Sequence, residues 1–178
     1  MKRRTWVALL RAVNLGARNK VPMAGLRELL AAQGCEDVRT YIASGNAVFD
    51  SHTERAALAR RLERAIHEAF GVETPVVLRT AAEIAAAVER HPFGEDSSHT
   101  HVAFLAQKPA AARVKGLAAL DVAPDRIQID GQEVYWHLPN GVQGARLSAA
   151  RLEKVLGVAA TVRNWRTVTR LAQMTAER

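Results

Sequence analysis

The sequence has little of several features that would narrow its function. A single cysteine, Cys35, excludes an internal disulfide and, without a Cys-x-x-Cys pair, a cysteine-based zinc site. No apolar run reaches the roughly 18 residues that a membrane-spanning helix needs, and residues 1–4 do not lead into the apolar stretch of a secretion signal. We therefore expect a cytoplasmic protein with no membrane partner.

Recognisable catalytic and cofactor fingerprints are also missing. The phosphate-loop and dinucleotide-binding glycine patterns are absent, and Ser44 lies outside any Gly-x-Ser-x-Gly motif. His99 and His101 alternate along a strand pattern, with His91, Glu95 and Asp96 as conceivable metal partners, but solvated histidines are the commoner outcome in loops. We assign no catalytic residue, metal or cofactor, and the sequence carries no signal for an oligomeric state.

The basic residues are concentrated near the two ends of the chain. The net charge is +7, residues 1–20 hold six basic residues and no acid, and residues 137–178 hold seven basic residues against two acids. The remaining middle therefore carries 7 − 6 − 5 = −4. If the ends meet in the fold, they form one positive face that attracts nucleic acid, nucleotides or phosphorylated metabolites. A solvated basic surface is the alternative.

Hydrophobic periodicity and turn residues predict the element order β-α-β-β-α-β in the first half of the chain. Pro22 suits the first turn of a helix, and Gly34 and Gly71 suit helix ends. We predict strands at 5–13, 38–42, 47–50 and 75–79, and helices from Pro22 to Gly34 and from a Ser51/Glu54 capping box to Gly71.

The same order recurs in the second half. Asp130-Gly131 is a strong hairpin turn signal, and Ser148 and Gly157 are suited to the two ends of a helix. We predict strands at 101–106, 127–129, 134–138 and 158–162, and helices at 109–120, 147–156 and from Asn164 or Trp165 to Met174.

The sequence thus predicts an α+β fold of two pseudo-duplicated ferredoxin-like (β-α-β-β-α-β) plait half-domains. The first half-domain spans 1–80, and the second spans 101–178 with its C-terminal helix. A linking helix and loop occupy 81–100, and the helix opens with a Thr80/Glu83 capping box.

Cations stand just ahead of several predicted helices, where the helix dipole disfavours them by about 0.3–1 kcal/mol each. Arg18 and Lys20 precede Pro22, Lys108 precedes Pro109, and Arg146 precedes Ser148. Free amides together with a cation at a helix start form a site for phosphate or carboxylate. These side chains could equally bend toward solvent or toward neighbouring carboxylates.

Three polar clusters supply the candidate anion-binding residues: the first loop, the turn at 44–46, and the start of the last helix. Two of these clusters also have a purely structural interpretation. Residues 44–46 can form a plain turn, and Trp165 can pack in the core while Asn164 caps the helix. The candidates are Arg11, Asn14, Arg18, Asn19, Lys20, Ser44, Gly45, Asn46, Arg163, Asn164, Trp165, Arg166 and Thr167.

Four ordered motifs resemble the bacterial family called domain of unknown function 1697. They are Asn14–Lys20 with Pro22-Met23 and Leu26; Thr40–Asn46 with Phe49; Tyr135-Trp136 with Leu138–Gly141; and Thr161-x-Arg163-Asn164-Trp165-x-Thr167-Val168. The resemblance implies an α/β fold of two plait-like parts and no established activity. Leu15 and Ala17 depart from the valine and second glycine that are common in the family.

Three functions are open at this point. Nucleic-acid binding, to RNA or single-stranded DNA, comes first, since plaits can stack bases on aromatic residues of an open sheet face; Trp6, Tyr41, Phe49, Tyr135 and Trp136 are the candidates. A small-molecule site, of an enzyme or a sensor, for a phosphorylated or carboxylated ligand comes second. A structural or protein-interaction role through a sheet face or edge is third.

Overall fold

A computed structural model describes residues 2–94 and 97–178 and contains two compact units. The first unit comprises Met1–Ala86 together with Arg170–Arg178, and the second comprises Ala87–Thr169. The fold is mixed α+β with two four-stranded antiparallel sheets and is consistent with two similar half-domains. Among the described residues no helix is both long and apolar enough to span a bilayer.

The first unit is built around one sheet and two long helices. In chain order its elements are β1 (Arg4–Leu10), α1 (Met23–Ala32), β2 (Glu36–Tyr41), β3 (Asn46–Ser51), α2 (Arg55–Phe70) and β4 (Val76–Thr80), followed by α3 (Ala81–Glu89), which runs into the second unit. The sheet order is β2-β3-β1-β4, with every neighbouring pair antiparallel. Alternate β1 residues, Trp6, Ala8 and Leu10, share one core with Leu26 of α1 and Leu62 of α2.

The second unit repeats this order. Its elements are β5 (Thr100–Leu105), α4 (Ala111–Ala118), β6 (Arg126–Asp130), β7 (Glu133–His137), a 3₁₀ turn (Val142–Gly144), α5 (Ala149–Leu156), β8 (Ala160–Asn164) and α6 (Trp165–Ala176), whose end belongs to the first unit. The sheet order β6-β7-β5-β8 corresponds to the first, again with antiparallel neighbours. Trp136 and Leu152 are buried in its core.

Local signals placed most helix ends correctly. The Thr80/Glu83 capping box is confirmed, since the Thr80 amide donates to Glu83 Oε2 at 2.8 Å and the Glu83 amide donates to Thr80 Oγ1 at 3.2 Å. The Ser148 hydroxyl accepts from the Arg151 amide at the start of α5. Gly71 and Gly157 end their helices with φ of 67° and 69°, in the left-handed conformation that glycine adopts most readily.

Two predictions of local structure were wrong. The Ser51/Glu54 capping box does not form, because Ser51 is paired with Arg4 at the end of β3 and α2 begins only at Arg55. The first strand ends at Leu10 rather than at Val13, since Ala12 and Asn14 adopt positive φ angles of 52° and 56°. Both differences arise from sheet pairing and loop geometry that local sequence patterns do not encode.

Residues 170–178 belong to the first unit through a buried carboxylate, Asp50. The Arg178 guanidinium lies 3.5 Å from Asp50 Oδ1 and donates to the Asp37 carbonyl at 2.8 Å. Arg3 lies 2.5 Å from Asp50 Oδ2, and the Thr5 hydroxyl donates to Oδ1 at 2.6 Å. The two ends of the chain therefore meet around one carboxylate, and their cations are partly neutralised there.

Candidate functional site

Asn14 joins the loop after β1 to the turn between β2 and β3 in the first unit. Its side-chain amide donates to the Val21 carbonyl at 2.9 Å and to the Ala43 carbonyl at 2.7 Å, while its Oδ1 accepts from the Val21 amide at 2.9 Å. The loop 11–22 and the turn 42–46 are thus held together, and we call them the loop end of the first unit. It contains eight of the predicted site residues.

The turn 42–46 packs tightly beneath this loop. The Leu10 amide donates to the Gly45 carbonyl at 2.8 Å, and a Cβ on Gly45 would lie 2.6 Å from Val13 Cγ2. Gly45 also has a φ of 83°, so only glycine fits here without strain. The side chain of Asn46 is buried and donates to the Tyr41 carbonyl and the Ser44 hydroxyl, both at 2.9 Å.

The backbone of the loop end is strained. Four non-glycine residues there have positive φ: Ala12 at 52°, Asn14 at 56°, Asn19 at 51° and Ile42 at 46°. For a β-branched residue such as Ile42 this conformation is a genuine outlier. Ile42 is also 49% exposed, and Leu15, at the tip of the first loop, is 67% exposed. Strain of this kind is held in place by surrounding structure and clusters at functional sites.

The loop end carries basic side chains and no acidic ones. Residues 11–22 include Arg11, Arg18 and Lys20, and neither they nor residues 42–46 include an acid. Arg18 and Lys20 are exposed and make no ion pair or side-chain hydrogen bond with any residue that the structure describes. α1 begins directly after this loop with Pro22 as its N-cap, no capping side chain and no acid in its first turn.

Other cations near the ends of the chain are already engaged. Arg3 binds Asp50, Arg4 lies 3.1 Å from Glu54, and Arg170 lies 3.1 Å from Glu177. At the start of α5, Arg146 uses its backbone amide for Asp125 and its side chain for the Ala123 carbonyl. The charge pattern of the sequence alone does not separate these paired cations from Arg18 and Lys20.

The remaining predicted residues lie in the second unit. Asn164 caps α6, since its Oδ1 accepts from the Thr167 amide at 2.8 Å. Arg163 is turned inward and is only 6% exposed; it donates to the Thr161 hydroxyl at 2.7 Å and to the Val162 carbonyl at 2.9 Å. Burial lowers the pKa of Arg163 to about 10, so the guanidinium remains charged at neutral pH. Arg166, by contrast, is exposed.

Trp165 contacts a group of imidazole and aromatic rings that the sequence analysis did not predict. Its ring centroid lies 4.3 Å from that of His91, and His91 is 5.8 Å from Phe93. Arg126 lies over the Phe93 ring at 4.9 Å. Burial lowers the pKa of His91, so the neutral imidazole is favoured at pH 7. In the sequence the available signal was His-Pro-Phe-Gly at 91–94, which lies in the stretch predicted as a linking helix and loop, with His91 considered only as a metal partner.

The proposed stacking platform was wrong. Trp6 and Phe49 lie in the core of the first unit and Trp136 in that of the second. Tyr135 is also buried, and its hydroxyl donates to the Ala87 carbonyl at 2.7 Å. These four rings cannot stack with bases, because both faces of their strands are covered. The fifth candidate, Tyr41, lies at the end of β2 and is half-buried. Glu95 and Asp96, named as metal partners, lie outside the described residues.

Cys35 is a buried packing residue of the first unit. Burial raises the pKa of its thiol to about 11, although the charge of Arg61 acts in the opposite direction. A thiol of this kind is almost wholly protonated at neutral pH and makes a poor nucleophile.

Comparisons with known proteins assign the fold and no activity. Residues 3–135 match the family described as "Protein of unknown function (DUF1697)". The structure is similar to that of a conserved bacterial protein from Streptococcus pneumoniae, with a TM-score of 0.79, 22% sequence identity, and coverage of 98% of this chain and 99% of that one. No curated protein matches the chain.

Proposed function

The chain belongs to the DUF1697 family of proteins of unknown function, and we propose from its own geometry that the loop end binds nucleic acid, as RNA or single-stranded DNA. The observation that carries the proposal concerns Arg18 and Lys20, two cations that form no ion pair with any described residue. They lie in a loop end that contains no acidic residue and has a strained backbone. Cations of this kind bind the phosphate backbone and release its counterions.

The exposed apolar side chains give these loops a second mode of contact. Leu15 and Ile42 belong to the loop and the turn that Asn14 holds together. Apolar atoms at such a position can contact the faces of unpaired bases while the cations hold the phosphates. This arrangement replaces the sheet-face stacking expected from the sequence, because four of the five candidate aromatic side chains are buried.

We also infer that each half of the chain is a ferredoxin-like plait. The support is the element order β-α-β-β-α-β together with sheet orders β2-β3-β1-β4 and β6-β7-β5-β8, all antiparallel. In such a plait the loop after the first strand and the hairpin turn between the second and third strands come to one end of the sheet. A cytoplasmic location is part of the proposal, and a single reduced cysteine suits that compartment.

Fluorescence anisotropy with labelled RNA and DNA of about 20 nucleotides tests the proposal. We expect binding at about 50 mM salt that weakens steeply by about 200 mM. The Arg18→Ala/Lys20→Ala variant should bind about tenfold more weakly, with a salt slope shallower by about 1.4, the value for two lost contacts to a single strand.

The matched control is Arg113→Ala/Lys115→Ala, which removes the same two residue types at the same spacing from exposed positions of α4. It should leave binding close to that of the natural protein. Leu15→Ser should weaken binding without changing the salt slope. The proposal is wrong if neither nucleic acid binds at low salt, or if both double variants reduce affinity equally. Displacement of RNA by a nucleoside monophosphate would instead support a small phosphorylated ligand at the loop end.

A further inference from the structure

α2 lines a cavity of about 550 Å³ in the first unit, and none of the lining residues belongs to the loop end. The cavity lies between α2, the end of α1 at Gln33 and the β3–α2 connection at Thr53. Its charged lining consists of Arg60, Arg61, Arg64 and Glu68, which leaves three guanidinium groups against one carboxylate. Alanines at 57 and 65 leave space among these longer side chains.

The positions of the arginines are unfavourable for the helix itself. Arg60 and Arg64 are four residues apart on one helix face, where like charges destabilise a helix by about 0.2–0.5 kcal/mol. Within the described part of the chain neither side chain makes an ion pair or a hydrogen bond. Glu68 lies four residues beyond Arg64, yet the two do not form a salt bridge. These charges are therefore not explained by helix stability.

Arg61 is the fixed member of the group. Its Nη2 donates to the Thr53 hydroxyl at 3.3 Å, whereas its Nε is shielded from solvent without a hydrogen-bond partner in the described residues. A buried charged donor that has no hydrogen-bond partner lowers the free energy of unfolding by about 1 kcal/mol to several kcal/mol. Such a group is retained more readily where an anion completes its surroundings.

We propose that this cavity binds a small molecule bearing a phosphate monoester. The volume lies within the range of roughly 300–1,000 Å³ that ligand sites occupy. Guanidinium groups match phosphate oxygens in bidentate geometry, and a net charge of two matches a phosphate dianion. The Thr53 hydroxyl provides a further donor, and Glu68 provides an acceptor for a hydroxyl group on the same ligand. A sugar phosphate has both features.

Isothermal titration calorimetry with ribose 5-phosphate tests this site, with ribose and inorganic phosphate as reference probes. We expect ribose 5-phosphate to bind, inorganic phosphate to bind more weakly, and ribose not to bind. The Arg60→Gln/Arg64→Gln variant should bind ribose 5-phosphate at least about tenfold more weakly, since both of the lost contacts are charged. Both residues are exposed, so the fold should survive, and circular dichroism checks it.

Ala57→Leu provides a second, charge-neutral variant that fills the cavity from an exposed position. It should also weaken ribose 5-phosphate. The loop-end variant Arg18→Ala/Lys20→Ala is the control and should bind the sugar phosphate normally, even though we expect it to bind nucleic acid about tenfold more weakly. Failure of ribose 5-phosphate to bind the natural protein, or equal binding by all three variants, would overturn the site without affecting the loop-end proposal.

Discussion

Arg79 and Arg163 occupy the same position in the two sheets, each one residue before the polar side chain that caps the following helix. Arg79 is paired with Val7 of β1, and Arg163 with Val102 of β5. Both are buried, and each donates through Nη1 to the carbonyl of the preceding residue, at 3.0 Å and 2.9 Å. The similarity of the two sheets therefore extends to individual buried charges.

Replacing Arg163 should destabilise the second unit, whereas replacing its exposed neighbour should not. Arg163→Ala removes the hydrogen bonds of a charged, buried donor, among them those to Thr161 and Val162, and leaves a void. We therefore expect a loss of about 3 kcal/mol in the free energy of unfolding. Arg166→Ala should change it by no more than about 0.5 kcal/mol. Urea denaturation of both variants measures the difference, and equal stabilities would contradict the structural role assigned to Arg163.

Asn14 should matter far more for stability than Asn19, although both have positive φ. Asn14→Ala removes three hydrogen bonds that join the loop end, while Asn19→Ala removes one, to the Ala12 carbonyl at 3.2 Å. With each bond worth about 1 kcal/mol, we expect Asn14→Ala to cost about 2 kcal/mol more. Thermal unfolding followed by circular dichroism provides the comparison; a larger effect at Asn19 would count against this account.

Replacing glycine by alanine should destabilise the protein more at Gly45 than at Gly16. Both glycines have positive φ, yet no atom of the described residues lies within 4 Å of a Cβ at Gly16, whereas one at Gly45 would meet Leu10 Cβ at 2.8 Å. We expect Gly16→Ala to cost about 1–2 kcal/mol for the backbone alone, and Gly45→Ala about 1–3 kcal/mol more from overpacking. Chemical denaturation of the two variants measures the difference. Similar losses of unfolding free energy in both would contradict the prediction and show that the turn 42–46 can move away from Leu10.

Cys35 should be unreactive in the folded protein. With a pKa of about 11 its thiol is hardly ionised at about pH 8, so Ellman's reagent should label it slowly until denaturant is added. Because Arg61 lowers this pKa, Arg61→Gln should raise it further and slow labelling again. Rapid, stoichiometric labelling of the native protein would contradict the buried position.

The raised thiol pKa also has a consequence for stability. The folded state favours the neutral thiol, so its contribution is fully present below the ordinary pKa of 9.0 and is lost as the pH rises toward about 11. We expect the natural protein to lose stability over this window more steeply than Cys35→Ala. Denaturation midpoints measured across the window for both proteins would reveal it, and identical pH profiles would exclude the effect.

Sequence patterns predicted the element order and the helix ends at Thr80, Ser148 and Asn164, since a cap bonds residues only three positions away. They failed at Ser51, where pairing with Arg4 across the sheet replaced the local cap. They also failed for the aromatic residues, because a side chain's exposure depends on which face of its sheet the helices cover.

The sequence by itself determined the α+β architecture, the repeat and the acid-free basic first loop, because periodicity, turn residues and charge are local properties. Tertiary structure alone decided which charges are available. It buried Arg163, paired Arg3 with Asp50, and left Arg18 and Lys20 exposed. It also joined Asn14 to Ala43, 29 residues away in the chain. Contacts at such separations depend on how the sheets and helices pack, which no local pattern specifies.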